Sequence, residues 1–388
     1  MKNELGNTHK YIHVGFIGRL EAEKGADILL QVIERVSQKI ELRNRIIFHV
    51  IGAGSFQDEY LKLKKYGNIH MHIYGSLCHQ ETLDTMKKWD ILCMPSRFLE
   101  TFGLVALEAL SQGVAICGPK KGGLRDFIAP DLEIHMEHPV DDIMRILAGA
   151  KEDTFYSKRE VGEFGYTGWK GKLKEIVGSS KNILIIHDYL RIIGGAEVYT
   201  HFLEKELRKL GNKTTLYGFT GNTSRISRIF QGVISLVAFW RYFSLRNIIR
   251  KTKPEIIWMQ SVSRYIGPWG VLAVYMSGIR TLLTHHDLGL VVARPSLLEY
   301  EQDLPHALTY RTFLTGTKNP IEYFLRTAKY VYSILLWKFL GRVQLHIVPS
   351  TFMKPIFEAI SGKKTLVFPH TLMNEEESNE KNASKLRK

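Results

Sequence analysis

The apolar residues of this chain fall into short runs that alternate with amphipathic stretches, and the alternation occurs twice. The first series opens at Ile12 with IHVGFIG and ADILLQVIERV, and the second opens at Lys181 with KNILIIHDYL and AEVYTHFLEKELRKLG. Alternating strands and helices are typical of a parallel sheet covered by helices. The sequence therefore predicts two Rossmann-like, doubly wound α/β domains.

The restart of the pattern sets the expected boundaries. We place a first domain at residues 1–178, a second at residues 179–373 and a polar tail at residues 374–388. The three cysteines lie close together in the first half. The amino terminus has no apolar run of the length that a signal peptide needs, and no charge-free stretch reaches the roughly 20 residues that span a bilayer. We expect a reducing compartment and a cytoplasmic location.

Charge is divided unevenly between the two halves. Residues 1–180 carry equal numbers of basic and acidic side chains, so the whole net charge of +14 belongs to residues 181–388. Such an excess favours an anionic partner, either a membrane surface or a phosphorylated acceptor, although solubility alone would also explain it. We expect no nucleic acid partner, because no helix-turn-helix, zinc or RNP-like motif accompanies the charge.

The segment PSRFLETFGLVALEALSQG contains Glu100 before a predicted helix and Glu108 inside it. Both carboxylates can reach one crevice at the helix N-terminus, where unpaired N–H groups also favour an anion. A glutamate pair on a helix is by itself more often a solvated surface. Two cations, Arg19 and Lys24, follow the first strand in GRLEAEKG, and this pairing suits a diphosphate.

These motifs occur in the order in which glycosyltransferase family 4 carries them. The first half resembles the nucleotide-sugar-binding domain of that family through G-R-L-x-x-x-K-G, V-I-G-A-G, I-Y-G, P-S before E-T-F-G-L-V-x-L-E-A-L, and G-G-x-x-D. The resemblance covers residues 12–128. The family usually has Glu at the position of Asp126, so the role of that residue stays open.

The second half resembles the acceptor-binding domain of the same family. The matching segments are H-D-Y-L at residues 187–190, I-G-G-A-E around Gly194 and Gly195, T-H-H-D at residues 284–287 and I-V-P-S-T at residues 347–351. The resemblance assigns the functional histidine to His286. We expect His285 to point the other way, because side chains alternate along a strand.

The resemblance implies the GT-B architecture and transfer of a sugar from a UDP- or GDP-linked donor to a hydroxyl acceptor, with retention at the anomeric carbon. It implies no metal and no further cofactor. The catalytic residues that it implies are Arg19, Lys24, Glu100 and His286. The donor-binding residues that it implies are Arg19, Lys24, Gly54, Gly75, Glu100, Thr101, Phe102, Gly103, Glu108, Gly194 and Gly195.

The order of the two regions departs from the family, in which the acceptor domain comes first. One interpretation is a circularly permuted transferase; the other is a fusion of two partial transferases that need a partner chain. A non-catalytic GT-B subunit that binds nucleotide or glycan is the alternative to an enzyme. The presence of Arg19, Lys24, Glu100 and Glu108 together favours an enzyme.

Two aromatic segments in the second half bear on the acceptor. The first is LVAFWRYFSLRNIIRKTKP at residues 236–254, and the second lies in a helical region predicted from about Pro320 to Leu340. Each could rest on anionic lipid headgroups, which would make the protein peripheral to a membrane, or could be an ordinary core helix. We expect a role in cell-surface polysaccharide or glycolipid synthesis, with a lipid-linked acceptor as one candidate.

Overall fold

The computed structural model describes residues 11–150, 155, 166–191, 195–221, 234–235, 237–292, 310, 314 and 319–371. These residues form two compact units, 11–155 and 166–371. Each unit has one sheet, and every strand pair in both sheets is parallel. The predicted fold class, two doubly wound α/β domains, is confirmed.

The first unit has a five-stranded sheet in the order β3-β2-β1-β4-β5. Its strands are β1 (Ile12–Ile17), β2 (Ile46–Ile51), β3 (His70–Gly75), β4 (Ile91–Cys93) and β5 (Ala115–Cys117). Its helices are α1 (Ala26–Gln38), α2 (Ile40–Arg43), α3 (Gln57–Tyr66), α4 (His79–Met86), α5 (Leu104–Ser111) and α6 (Pro139–Gly149). Because β1, β4 and β5 are neighbours and run in one direction, the loops after them emerge at the same edge.

The second unit has a six-stranded sheet in the order β11-β10-β9-β8-β6-β7. Its strands are β6 (Asn182–Tyr189), β7 (Lys213–Phe219), β8 (Ile256–Ser261), β9 (Arg280–Thr284), β10 (Leu345–Val348) and β11 (Thr365–Val367). Its helices are α7 (Tyr166–Val177), α8 (Gly195–Lys209), α9 (Trp240–Thr252), α10 (Gly267–Tyr275), α11 (Pro320–Leu340) and α12 (Met353–Ser361).

Helix α7 packs in the core of the second unit, although it lies in the range that the sequence analysis gives to the first domain. The Trp169 ring is 1% exposed, stacks on Phe368 with the ring centroids 5.2 Å apart, and lies 5.1 Å from the ring of Phe202. Leu173 and Val177 are buried in the same core. The second unit therefore includes a helix that precedes its first strand in sequence.

The helical region predicted from about Pro320 to Leu340 is α11, which is 21 residues long. It carries Glu322, Arg326, Lys329 and Lys338. Among the helices of the described residues, none combines the length and the apolar character needed to cross a membrane.

We predict that Trp169→Ala lowers the free energy of unfolding of the second unit by about 3–5 kcal/mol, because it removes a large buried ring and leaves a cavity. Urea denaturation followed by circular dichroism measures the change. Trp240→Ala is the matched control: Trp240 is 52% exposed, so its removal should change the midpoint little. Equal midpoints for the two variants would contradict the packing of α7.

Candidate functional site

Three loops lie side by side at the carboxyl edge of the first sheet. The loop after β4 contacts the other two through the backbone: Arg97 N–H donates to the carbonyl oxygen of Glu23 at 3.0 Å, and Gly123 N–H donates to that of Glu100 at 2.6 Å. Glu23 follows β1 and Gly123 follows β5. The loop of Glu100 is therefore held between the loop of the predicted cations and the Gly-Gly turn.

Lys24 and Glu100 form an ion pair at this edge. The Lys24 Nζ to Glu100 Oε1 distance is 2.6 Å, and the two side chains are 24% and 16% exposed. Lys24 Nζ also lies 4.3 Å from the centroid of the Phe98 ring, and Ser96 Oγ lies 3.4 Å from Glu100 Oε1. The structure thus brings together a cation and a carboxylate that the sequence analysis assigns to one site.

A second ion pair fixes the loop, and the sequence analysis did not include it. Arg97 donates to Asp27 through both terminal nitrogens, at 2.6 and 2.7 Å, and Lys121 Nζ donates to the Arg97 carbonyl oxygen at 2.7 Å. A bidentate arginine–carboxylate pair constrains both partners. One sequence signal could have revealed this ion pair: Arg97 directly follows the P-S turn, and Asp27 lies in the first turn of α1.

Two glycines allow the loops to approach this closely. A Cβ on Gly123 would lie 2.6 Å from backbone atoms of Phe102, and Gly122 has a φ of +57°, in the left-handed region. Gly103, with a φ of +92°, is the N-cap residue directly before α5. The E-T-F-G turn and the Gly-Gly turn therefore touch backbone to backbone.

Thr101 and Phe102 lie in this turn, but their side chains differ in position. The Phe102 ring is 3% exposed and packs edge-on against Phe127, with centroids 5.3 Å apart. Its side chain belongs to the core, so any donor contact of Phe102 has to use the backbone. Thr101 is half-buried.

Arg19 and Glu108 have other partners. Arg19 forms an ion pair with Glu23 on the surface, and Glu108 Oε1 lies 2.9 Å from Nε2 of His79. Glu100 and Glu108, predicted to share a crevice, therefore contact different side chains. The His79 partner lies 29 positions from Glu108 at the start of α4, and the sequence analysis did not include this histidine.

Gly54 lies in the loop after β2, and Gly75 is the last residue of β3. A Cβ on Gly54 would come within 2.5 Å of the Leu20 carbonyl oxygen, so this glycine packs against the loop after β1. Next to it, the Glu21 carboxylate accepts hydrogen bonds from Ser55 N–H at 3.0 Å and from Ser55 Oγ at 2.7 Å, which lower the Glu21 pKa. Gly75 has a φ of +68° and accepts a hydrogen bond from Gly52 N–H at 2.8 Å.

In the second unit, the half-buried ring of His286 packs beside two buried rings. Its Nε2–H donates to Oε1 of Gln260 at 3.0 Å, and its ring stacks on His370 with centroids 5.4 Å apart. The His370 ring lies 4.1 Å from that of Tyr199. Burial holds the pKa of His286 well below its usual value, so the imidazole is neutral at neutral pH.

His187 lies next to this cluster at the end of β6. Its Nδ1 accepts a hydrogen bond from Tyr189 N–H at 3.1 Å, and its Nε2 lies 3.9 Å from Oε1 of Glu197. Gly195 is the first residue of α8, whereas Gly194 lies outside the described residues.

His285 has entirely different neighbours from His286. Its Nε2 lies 2.9 Å from Nδ1 of His346, and its ring is stacked 3.8 Å from that of Phe357. Adjacent residues of an extended chain point to opposite sides, which separates the two histidines. His285 is a core residue.

The first unit therefore collects groups suited to an anion and to hydroxyls. Lys24 supplies an ammonium group, the N-terminus of α5 supplies N–H groups, and Glu100 and Glu108 supply oxygens that accept hydrogen bonds. Within the described residues, no group of three or more His, Cys, Asp or Glu is arranged to hold a metal ion.

We predict that Gly123→Ala destabilises the first unit, because its Cβ would overlap the Phe102 backbone and push the two turns apart. The expected loss is roughly 1–3 kcal/mol, as for other overpacked sites, measured by urea denaturation. Gly149→Ala in α6 is the control, because nothing lies within 4 Å of its Cβ. If Gly123→Ala were as stable as Gly149→Ala, the backbone contact of the turns would be wrong.

We predict that acid weakens the second unit through its buried histidines. Burial lowers the pKa of His370 to about 3. The unfolded chain binds a proton near pH 6.5 while the folded unit does not, so stability is complete above that pH and falls as the pH is lowered toward 3. At pH 5 each such histidine lowers the free energy of unfolding by about 2 kcal/mol. Urea denaturation at pH 7.5 and at pH 5 measures the change. Between these two pH values the free energy of unfolding should fall less for His370→Gln than for the wild type, and an equal fall would contradict the low pKa of His370.

Both regions of the chain match known protein families. Residues 1–160 match the family model of glycosyl transferases group 1, and residues 193–370 match that of glycosyltransferase family 4.

Individual relatives match over part of the chain. A lipopolysaccharide 1,2-N-acetylglucosaminetransferase of Salmonella typhimurium is 24% identical over 43% of this chain and 47% of the relative. A sulfoquinovosyl transferase of Arabidopsis thaliana is 34% identical over 31% of this chain and 21% of the relative. The chain thus spans less than half the length of these relatives.

A solved structure also matches part of the chain. TarM of S. aureus, crystallised with fondaparinux, alpha-GlcNAc-glycerol and UDP, is 22% identical with a TM-score of 0.35, over 45% of this chain and 36% of that protein. The family matches thus divide this protein into a glycosyl transferases group 1 region followed by a glycosyltransferase family 4 region.

Proposed function

We propose that this protein is a retaining hexosyltransferase that uses a nucleoside-diphosphate sugar, UDP- or GDP-linked, and a hydroxyl acceptor. The observation that carries the proposal is the Lys24–Glu100 pair, 2.6 Å apart at the carboxyl edge of a parallel sheet. Ligands of such sheets bind outside the carboxyl ends of the strands. The family match of residues 1–160 supports the same assignment.

The proposed reaction breaks the bond between the anomeric carbon and the diphosphate, and the electron pair leaves with the phosphate oxygen. The acceptor oxygen attacks from the same face, and its proton passes to the departing phosphate. Catalysis then requires stabilisation of the diphosphate charge as the bond breaks. No metal takes part in this scheme.

Arg19 and Lys24 supply that stabilisation. They pair with Glu23 and Glu100, and these carboxylates compensate their charges. An incoming diphosphate competes for both cations and frees Glu100 to accept hydrogen bonds from sugar hydroxyls. Backbone N–H groups of Thr101 to Gly103 assist at the phosphate.

Glu108 binds the ribose hydroxyls, because two carboxylate oxygens suit a vicinal diol. His79 contacts Oε1 and orients the carboxylate. Gly54 and Gly75 line the nucleotide part of the site.

His286 contacts a sugar hydroxyl. Its Nε2–H is directed at Gln260, and burial keeps the ring neutral at neutral pH.

The second unit binds the acceptor. Matched relatives are named for lipopolysaccharide, inositol 3-phosphate and phosphatidylinositol mannoside substrates. We therefore assign the reaction to cell-surface polysaccharide or glycolipid synthesis, with a lipid-linked acceptor.

The order of the regions fits a circularly permuted transferase. Helix α7 supports this interpretation, because it follows the first unit in sequence yet packs against the second sheet through Trp169. In a permuted transferase this helix leads directly into the first strand of the acceptor-binding region, and no element of the family has to occur twice.

We predict that the protein binds one class of nucleoside-diphosphate sugar when UDP-, GDP- and ADP-sugars are compared by calorimetry in EDTA. Arg19→Ala and Glu108→Ala should each weaken binding about tenfold or more, since a hydrogen bond to a charged group contributes about 1.5–3 kcal/mol.

The matched controls are Arg145→Ala and Glu34→Ala, which remove the same charges from exposed positions of the first unit. They should leave binding unchanged. Absence of binding by folded protein, or equal losses in controls and site variants, would overturn the donor site. Donor binding without turnover would instead favour the non-catalytic or partner-dependent alternative.

A further inference from the structure

Helix α9 lies in a part of the chain that carries no acidic residue. Ten Lys and Arg occur between Glu206 and Glu255, and no Asp or Glu does. The helix itself contains four of these cations within thirteen residues. The cations of α9 therefore have no acidic side chain close to them in sequence, which favours an anionic partner.

The exposed face of α9 is aromatic and its buried face contains an arginine. Arg241 is 4% exposed, donates to the carbonyl oxygen of Tyr265, and lies 4.5 Å from the centroid of the Tyr265 ring. Trp240 and Phe243 are 52% and 65% exposed. This arrangement inverts the usual partition, in which rings are buried and charges face water.

The aromatic face extends to the residues before α9. Val237 is 65% exposed and Phe239 is 57% exposed. The Phe239 and Trp240 rings are 5.7 Å apart in an edge-on arrangement, so they form one projecting group. These apolar side chains are in contact with water, whereas soluble proteins rarely expose such a group of apolar side chains together.

Helix α11 continues this exposed apolar surface. Ser235 Oγ and Tyr332 OH are 3.1 Å apart, which places the segment before α9 next to the middle of α11. Val237 and Val331, close in sequence to this contact, are both exposed. The other exposed apolar side chains of α11 are Tyr323, Phe324, Leu325 and Leu335.

Cations share the outward side of α9 with the rings. Arg250 and Lys251 are exposed and lie seven and eight positions after Phe243, which is two helical turns along the same face. Arg246 lies 6.0 Å from the ring centroid of Tyr242. Helix α9 thus has exposed rings near its start and exposed cations near its end. Such a helix suits the boundary between the apolar acyl chains and the anionic headgroups of a bilayer.

We propose that this aromatic and basic surface, formed by α9, the residues before it and the exposed side of α11, docks on an anionic lipid bilayer. Trp240 and Phe243 insert among the headgroups, and Arg250 and Lys251 contact lipid phosphates. The proposal does not depend on the transferase activity. If both hold, docking brings the second unit to the membrane in which a lipid-linked acceptor resides.

Charge and apolar character together select this partner. A second copy of the chain would oppose basic residues with basic residues, which is unfavourable. Nucleic acid would satisfy the cations but leave Val237, Phe324 and Leu325 without an apolar medium. An anionic bilayer accommodates both sets of side chains.

The test is co-sedimentation of the full chain with vesicles of phosphatidylglycerol and phosphatidylcholine, or of phosphatidylcholine alone. We expect binding to the anionic vesicles at low salt and its loss at about 1 M salt, where the screening length is about 3 Å. Arg250→Gln with Lys251→Gln should weaken binding tenfold or more, since each cation strengthens it about fivefold. Trp240→Ser with Phe243→Ser should also weaken it at least tenfold.

Helix α3 of the first unit offers matched controls. Lys64→Gln with Lys65→Gln removes the same charge, and Tyr66→Ser removes a ring that is 74% exposed. These variants should bind vesicles nearly as the wild type does. Circular dichroism confirms that each variant is folded.

Depth of insertion gives an independent measurement. Phosphatidylcholine with brominated acyl chains, added to the anionic vesicles, should quench tryptophan fluorescence in the wild type and less in Trp240→Phe. Recovery of the wild type in the supernatant, equal binding by the α9 and α3 variants, or equal quenching in Trp240→Phe would each overturn the proposal. So would light scattering that shows a dimer in the wild type and a monomer in Trp240→Ser with Phe243→Ser.

Discussion

The parallel direction of the strands is the constraint on which both candidate regions depend. In a parallel sheet every carboxyl end reaches the same edge, so loops far apart in sequence become neighbours. Lys24 and Glu100 are separated by 76 positions and still form an ion pair, because β1 and β4 are adjacent. The same geometry collects His187, Gln260 and His286 from three strand ends of the second sheet.

Within the first unit the charges of the candidate site are compensated internally. Lys24 is paired with Glu100 and Arg19 with Glu23, while Arg97 and Asp27 hold the loop in place. Cations exposed without partners would repel one another in the free protein. Pairing them with carboxylates keeps their side chains near this edge of the sheet.

Much of the fold could be predicted from the sequence, because strand and helix periods differ and both series are regular. The bounds of α11 agree with the predicted helical region, whereas α6 lies in a stretch where the pattern weakens. Within the site, proximity of Lys24 and Glu100 followed from their places after two strands. The contact of His79 with Glu108 did not, because it depends on how α4 packs beside α5.

By itself, the sequence determined the two α/β units, the strand-end positions of Lys24, Glu100 and His286, and the basic character of the second half. Only the tertiary structure decided which face of α9 is exposed. Its segment has aromatic residues on several sides, so periodicity alone allowed a core helix as well as a surface helix. The contact of Arg241 with Tyr265 turns one side inward and leaves Trp240 and Phe243 in water. Residue order specifies the period of a helix, whereas long-range contacts select the side that is buried.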